Sequence, residues 1–168
     1  GITAASRRID EKGDAQQLLA KCKETMKAVI KSMDRKEKTE RAPLLYGLTS
    51  LQRDANRILG FTAQQTLDYT QALYEKKLVT YPRTDSRYLT EDMKPMLPPL
   101  ISQVAEKIGV DASALKSDDN TEIAVDVMCD SRKVSDHHAI IPTKTMCAAN
   151  LTELPSGEKS ILQLIAVR

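Results

Sequence analysis

The sequence predicts a mainly α fold with short β-strands, an α+β class, and three observations carry that reading. Apolar residues recur at helical spacing in the middle of the chain: Leu51, Ala55, Ile58 and Leu59 share one face, and Leu67, Thr70/Gln71, Leu73/Tyr74 and Leu78 form a second stripe. Helix punctuation brackets both stretches, with Thr49 or Ser50 as a cap, Gly60 as a stop, and Thr62 with Gln65 at capping-box spacing. An extended run, Leu78 to Arg83, follows after a very short connection. Helix, turn, helix, strand is the order of helix-turn-helix and winged-helix modules, here with a partial β flank on the N-terminal side.

That flank is residues 1–42. Residues 2–9 read as a short strand ended by Asp10-Glu11-Lys12-Gly13, and Asp14 N-caps a helix from Ala15 to Glu24 with Leu18, Leu19 and Cys22 inward. Met26 to Arg41 reads as an extended strand running into a charged tail. The unit is small for a domain and suits the edge of a larger sheet. Pro43 marks a boundary, and residues 43–148 form the central domain. There Thr90 caps a short turn through Met93, which Pro95, Pro98 and Pro99 break. A helix from Leu100 to Ile108 follows, with Leu100, Ile101, Val104 and Ile108 inward and Gly109 as its stop. Residues 111–123 read as a polar loop or short helix, and Ala124 to Cys129 as a strand. Residues 149–168 begin a following helical domain, with a helix capped near Ser156. The chain has no initiator Met and stops in mid-helix pattern, as expected of an excised piece of a larger protein.

Composition narrows the classes. The 168 residues are 41% apolar with one Phe and no Trp, so the core must be aliphatic. The net charge of +2 hides an asymmetry: residues 1–42 hold 11 Lys/Arg against 7 Asp/Glu, and the remainder 14 against 16. A modest basic arm is compatible with nucleic acid, and equally with solvated surface. Three separated cysteines show no zinc-type pairing and suit a reducing compartment. No apolar run approaches a membrane span and no signal peptide is visible, which points to the cytoplasm.

The chemistry gathers in LVTYPRTDSRYL, residues 78–89. Pro82 pushes Tyr81 toward an extended backbone, and side chains at i and i+2 then point the same way, so Tyr81 and Arg83 project together. A phenol beside a guanidinium suits a tyrosine nucleophile attacking a phosphate held by arginine. Free tyrosine, with a pKa near 10, needs help from a base, cation or metal. Once it holds a phosphodiester, phenolate leaves far more readily than a sugar hydroxyl, so resealing needs no ATP. A structural tyrosine in an edge strand is the alternative. The only two histidines, His137 and His138, lie in VSDHHAIIPT, residues 134–143. Adjacent side chains diverge and no third ligand is evident, so a metal site is not supported. Either a histidine packs or caps a turn, or His137 donates a hydrogen bond to a phosphate. Arg53, Arg57, Lys76, Lys77, Ser86 and Arg87 are further candidate DNA contacts, and Arg53 and Arg57 serve equally well as solvated helix surface.

Residues 44–89, LLYGLTSLQRDANRILGFTAQQTLDYTQALYEKKLVTYPRTDSRYL, together with VSDHHAIIPT, resemble the central region of type IA DNA topoisomerases, closest to the topoisomerase III branch. The resemblance is dense over 43–89, clear at 133–143 and looser at both ends. It implies that Tyr81 forms a 5′-phosphotyrosyl link to one strand, that Arg83 contacts the scissile phosphate, and that His137 positions DNA or that phosphate. It further implies single-stranded or negatively supercoiled DNA as substrate, and a place at the bacterial nucleoid. Magnesium would be held by a Toprim domain outside these residues, so the chain alone is expected not to relax DNA. Gly47 departs from the family pattern, which has aspartate there and bears on how the following helix begins.

Other tyrosine strand-transfer enzymes fit less well. Recombinases and type IB topoisomerases need Arg/His residues leading to a late tyrosine, whereas here the histidines follow Tyr81. Relaxases use a histidine–apolar–histidine metal site, and His137 and His138 are adjacent. A winged-helix module that grips DNA without chemistry is the main rival of another class, and it has no use for the Tyr81-Pro82-Arg83 triplet with His137. A purely structural domain is the third reading.

Overall fold

Local signals set the helix ends in this computed structural model, which describes residues 8–25, 29–30, 32–38, 40, 42–111 and 125–168. The chain divides into two units, Gly1–Glu40 and Arg41–Arg168. In the first, α1 spans Lys12–Thr25, longer than its sequence signals indicate. The side predicted to be buried is open: Leu18 is 42% and Leu19 55% exposed, and Cys22 is exposed too. The described residues from 29 to 40 form no strand, and Val29, Ile30 and Met33 are exposed. A strand needs a partner for its backbone groups, and the described residues of this unit supply none. The strand predicted over 2–9 falls almost wholly outside the described residues.

The second unit holds α2 (Leu48–Leu59), α3 (Ala63–Glu75), α4 (Leu97–Ile108), α5 (Lys144–Ala148) and α6 (Ser156–Ala166). Helices α2, α3 and α6 pack on one another, and α4 packs on α5 and α6. Between them lies an aliphatic core that includes Leu51, Ala55, Leu73, Val104, Met146, Ile161 and Ile165. Helix α2 begins earlier than Thr49 or Ser50 suggested. Gly47 is its N-cap, and Ser50 sits at the third helical position, where its Oγ accepts from Gly47 N at 3.1 Å and donates to Gly47 O at 2.9 Å. Leu51 and Ala55 face the core as read, whereas Ile58 is 54% exposed. Gly60, at φ 72°, ends the helix in the left-handed region that glycine adopts without a Cβ penalty. The capping box of α3 forms in both directions: Gln65 N donates to Thr62 Oγ1 at 3.1 Å and Thr62 N to Gln65 Oε1 at 2.9 Å.

Pro98 and Pro99 start α4 instead of breaking the chain, because N–H groups of a first turn have no intrahelical partner to lose. A 3₁₀ turn over Glu91–Met96 leads into it.

The β content requires correction. Among the described residues there is no sheet, only isolated bridges: Tyr46 with Ile140 and Val79 with Pro142, both antiparallel, and Leu89 with Cys129, parallel. The predicted strand Leu78 to Arg83 contributes a single bridge residue. Ala124 to Cys129, described from residue 125, is a 3₁₀ turn over Asp126–Met128 that ends in a bridge. The described residues include no paired strands to form a wing, so the α+β, winged-helix reading gives way to a helical unit with bridged connecting segments. The side chain of Thr80 supplies the reason. Thr80 N donates to Ile141 O at 3.0 Å, as an antiparallel ladder requires, but Ile141 N returns its bond to Thr80 Oγ1 at 3.0 Å. A hydroxyl thus takes the place of a backbone carbonyl, and the ladder stops there.

Candidate active site around Tyr81

Helix α3 delivers the chain to Tyr81 through a tight C-terminal turn. Leu78 N donates to Leu73 O at 2.9 Å and Lys77 N to Tyr74 O at 2.8 Å, the paired bonds of a Schellman motif. The left-handed position of that motif is filled by Lys77, at φ 61°, where glycine would be easier. Thr143 N then donates to Leu78 O at 3.0 Å, and Thr143 Oγ1 donates to Lys77 O. The segment following α3 is in this way tied to the one that follows His137.

Tyr81 itself is half-buried. Its ring lies 4.3 Å from the His137 ring, centroid to centroid, tilted by 47°. Tyr74 meets its other side edge-on at 5.4 Å and 79°. The Tyr74 distance falls in the range of favourable aromatic pairs, and the His137 ring stands slightly closer than that range. The structure therefore joins two sequence motifs 56 residues apart, Tyr81 and His137, into one aromatic cluster. Arg83 is exposed beyond the buried Pro82. His138 turns to the backbone instead, with Nδ1 2.8 Å from Ala139 O.

The next residues knot the segment into the core. Thr84 Oγ1 donates to His137 O at 2.7 Å and accepts from Ser86 N at 3.2 Å. The hydroxyl of Ser86 is directed at Lys133 O at 2.9 Å and Tyr88 O at 3.2 Å. Leu48 N at the start of α2 donates to Thr84 O at 2.7 Å. Gly47 fits against this knot: a Cβ there would stand 2.8 Å from Asp85 O and 3.0 Å from Ser86 O. Gly47 is thus in close contact with the backbone just after Arg83.

The remaining candidate DNA contacts separate by what they touch. Arg53, Lys77 and Arg83 are exposed. Arg57 pairs with Asp54 at 3.2 Å, and Lys76 pairs with the buried Glu158. Arg87 spends its guanidinium on the carbonyls of Leu45, at 3.2 Å, and Leu44, at 3.4 Å. Ser86 is buried in the knot just described. Sequence reasoning passed over Lys133, whose ammonium lies 4.3 Å above the Tyr88 ring, and Arg132, whose guanidinium holds the Asp130 carboxyl down at about 2. A basic pair directly before VSDHH was the available signal.

A polar cluster braces the segment before α2. Tyr46 Oη donates to Asp54 Oδ2 at 3.0 Å, and Arg168 Nη1 reaches the same oxygen at 3.0 Å while Arg168 Cζ lies 4.5 Å from the Tyr46 ring centroid. Burial, then the bond to Asp54, pushes the Tyr46 phenol up. Burial alone would raise Asp54, but hydrogen bonds from Tyr46 and Arg57, with the charges of Arg57 and Arg168, hold it below the usual carboxylate range.

A family model described as DNA topoisomerase matches residues 2–168, and the chain belongs to that family. It is 42% identical over 151 residues to DNA topoisomerase 3 of Bacillus licheniformis, covering 84% of this chain and 19% of the relative. To DNA topoisomerase 3 of Bacillus subtilis it is 39% identical over 162 residues, 92% of this chain and 21% of the relative. Within the family it is therefore a type IA, topoisomerase III-like chain, and it spans about one fifth of the length of these relatives.

Proposed function

We propose that Tyr81 is the nucleophile of an enzyme that breaks and rejoins one DNA strand, the kind of activity named for the relatives of this chain. The phenol oxygen attacks the phosphorus of a phosphodiester, and the bond to the 3′ oxygen breaks. The departing 3′ hydroxyl takes up the proton that the phenol gives up, and Tyr81 keeps the 5′ phosphate. Rejoining reverses these events: the 3′ oxygen attacks the phosphotyrosine and phenolate leaves. Phenolate is the better leaving group because its conjugate acid, with a pKa near 10, is far stronger than an alcohol. One covalent bond is exchanged for another of similar energy, so strand passage through the open break proceeds without ATP.

In this reading Arg83 contacts the scissile phosphate through charge-assisted hydrogen bonds, and His137 positions the phosphate beside the phenol. Exposed Arg53 and Lys77 are the freest candidates for backbone phosphates. Arg57, Lys76, Arg87 and Ser86 act chiefly through the internal partners they hold. Residues 43–148 are the tyrosine domain, while 1–42 and 149–168 join neighbouring domains of the same parent. The substrate is single-stranded or negatively supercoiled DNA, handled in the cytoplasm at the nucleoid. No helix among the described residues is long and apolar enough to cross a membrane.

Among the described residues no group of three or more His, Cys, Asp or Glu is placed to hold a metal ion. The family resemblance places magnesium in a Toprim domain of the parent enzyme outside this chain, and none of the steps above runs through it.

The observation that carries the proposal is the Tyr81–His137 ring contact at 4.3 Å in a chain of this family. Its test is to incubate the intact enzyme with magnesium and labelled single-stranded DNA, then denature. A protein–DNA adduct that disappears in Tyr81→Phe is expected. Salt-sensitive binding with no adduct under any condition would instead mark a DNA-binding module without chemistry.

A further inference from the structure

The stretch from Tyr81 to Arg83 bends at Pro82 and Arg83, and the two residues flanking it share a device. Thr80 stands before it and Thr84 after it, and both direct their hydroxyls at the strip 137–141. Thr80 Oγ1 donates to Ala139 O at 3.1 Å and accepts from Ile141 N at 3.0 Å. Thr84 Oγ1 donates to His137 O at 2.7 Å and accepts from Ser86 N at 3.2 Å. Each hydroxyl thus uses both its donor and an acceptor site. The same strip carries His137, whose ring meets Tyr81.

The consequence is geometric. If backbone ladder bonds continued through 80–84, the pleat would set where Tyr81 points and the segment would lie flat against 137–141. Hydroxyls at both ends replace those bonds, so the bent stretch is pinned at each end to the strip bearing the histidine.

We infer that Thr80 and Thr84 are positioning residues that set the Tyr81–His137 distance and the aim of the phenol through these hydroxyl bonds. The inference rests on the reading of Tyr81 as nucleophile. Threonine carries the hydroxyl needed, and valine matches its shape without the oxygen, so the device is open to a nearly isosteric test.

The experiment uses the intact enzyme and compares Thr84→Val, Thr84→Ser, Thr80→Val, Thr80→Ser and Tyr81→Phe. Three quantities are read: the rate of adduct formation on single-stranded DNA with magnesium, the affinity for the same oligonucleotide, and the melting temperature. A displacement of about an ångström at a reacting group costs roughly 100-fold in rate. Thr84→Val should therefore slow adduct formation by 10-fold or more, the order set by such misplacement, with DNA affinity unchanged, and Thr84→Ser should restore the rate. The Thr80 pair should behave alike. Valine variants that cleave at the wild-type rate would overturn the inference. So would a rate loss that serine does not rescue, or one that only follows a fall in melting temperature and affinity. Should Tyr81→Phe still form the adduct, the nucleophile assignment fails instead, and the two failures are distinguishable.

Discussion

Asp54 gathers donors from three directions, Tyr46, Arg57 and Arg168, and so its carboxylate is worth most when ionised. Its folded form binds a proton less tightly than the unfolded chain does, for the reasons given above. The stabilisation is therefore complete above the unfolded value, near 3.9, and is lost as pH falls through the lower folded value. Denaturant unfolding followed from pH 6 to pH 2 should show wild-type stability falling steeply in the acid limb. Asp54→Asn should be less stable near neutrality and show a shallower fall. Identical acid limbs would mean that the cluster is not a charged one. Two other long-range pairs show what the sequence left unread. The partners of Arg87 and Lys76, Leu45 O and Glu158, lie 42 and 82 residues away in the chain, out of reach of any local pattern. Tyr81 and His137 were legible as motifs, whereas the ring contact that joins them belongs to tertiary packing.

Among elements, those governed by neighbours in sequence could be read directly. Gly60 ends α2, Gly109 ends α4, and Thr62 with Gln65 opens α3, because capping is decided within a single turn. The strand expected at 78–83 could not be read so, since an extended backbone before Pro82 says nothing about whether Thr80 Oγ1 will intercept the ladder. Burial of Leu18, Leu19 and Cys22 failed for a related reason: helical spacing marks a face without supplying the surface that covers it. The turn after α3 makes its own prediction. Lys77 sits at φ 61° with its two Schellman bonds formed, so a side chain is held where its Cβ is unwelcome. Lys77→Gly removes that penalty, on the order of 1 kcal/mol, against some added freedom of the unfolded chain. Equilibrium unfolding should show the variant as stable as wild type or up to about 1 kcal/mol more so. A loss of more than about 1 kcal/mol would show that the lysine side chain contributes contacts of its own.

At the scale of the molecule, a helical cluster supplies the core and its bridged connections carry the proposed site. Helices α2, α3 and α6 form the base. The segments 44–48, 78–89 and 137–143 are bound to them and to one another by single bridges and hydroxyl bonds instead of a sheet. Family membership was legible from two long motifs in order and extends over residues 2–168. The class of the fold was misjudged because it depends on long-range pairing that periodicity does not encode. The claim that most needs testing is that Tyr81 is the atom-level point of attachment. The intact enzyme should be trapped on single-stranded DNA, the DNA trimmed with nuclease, and the protein digested with trypsin. Mass spectrometry of the peptide Leu78–Arg83 should then show a nucleotide joined through a 5′ phosphate to Tyr81. The nucleotide on any other residue, or a trapped adduct that leaves this peptide unmodified, would contradict it.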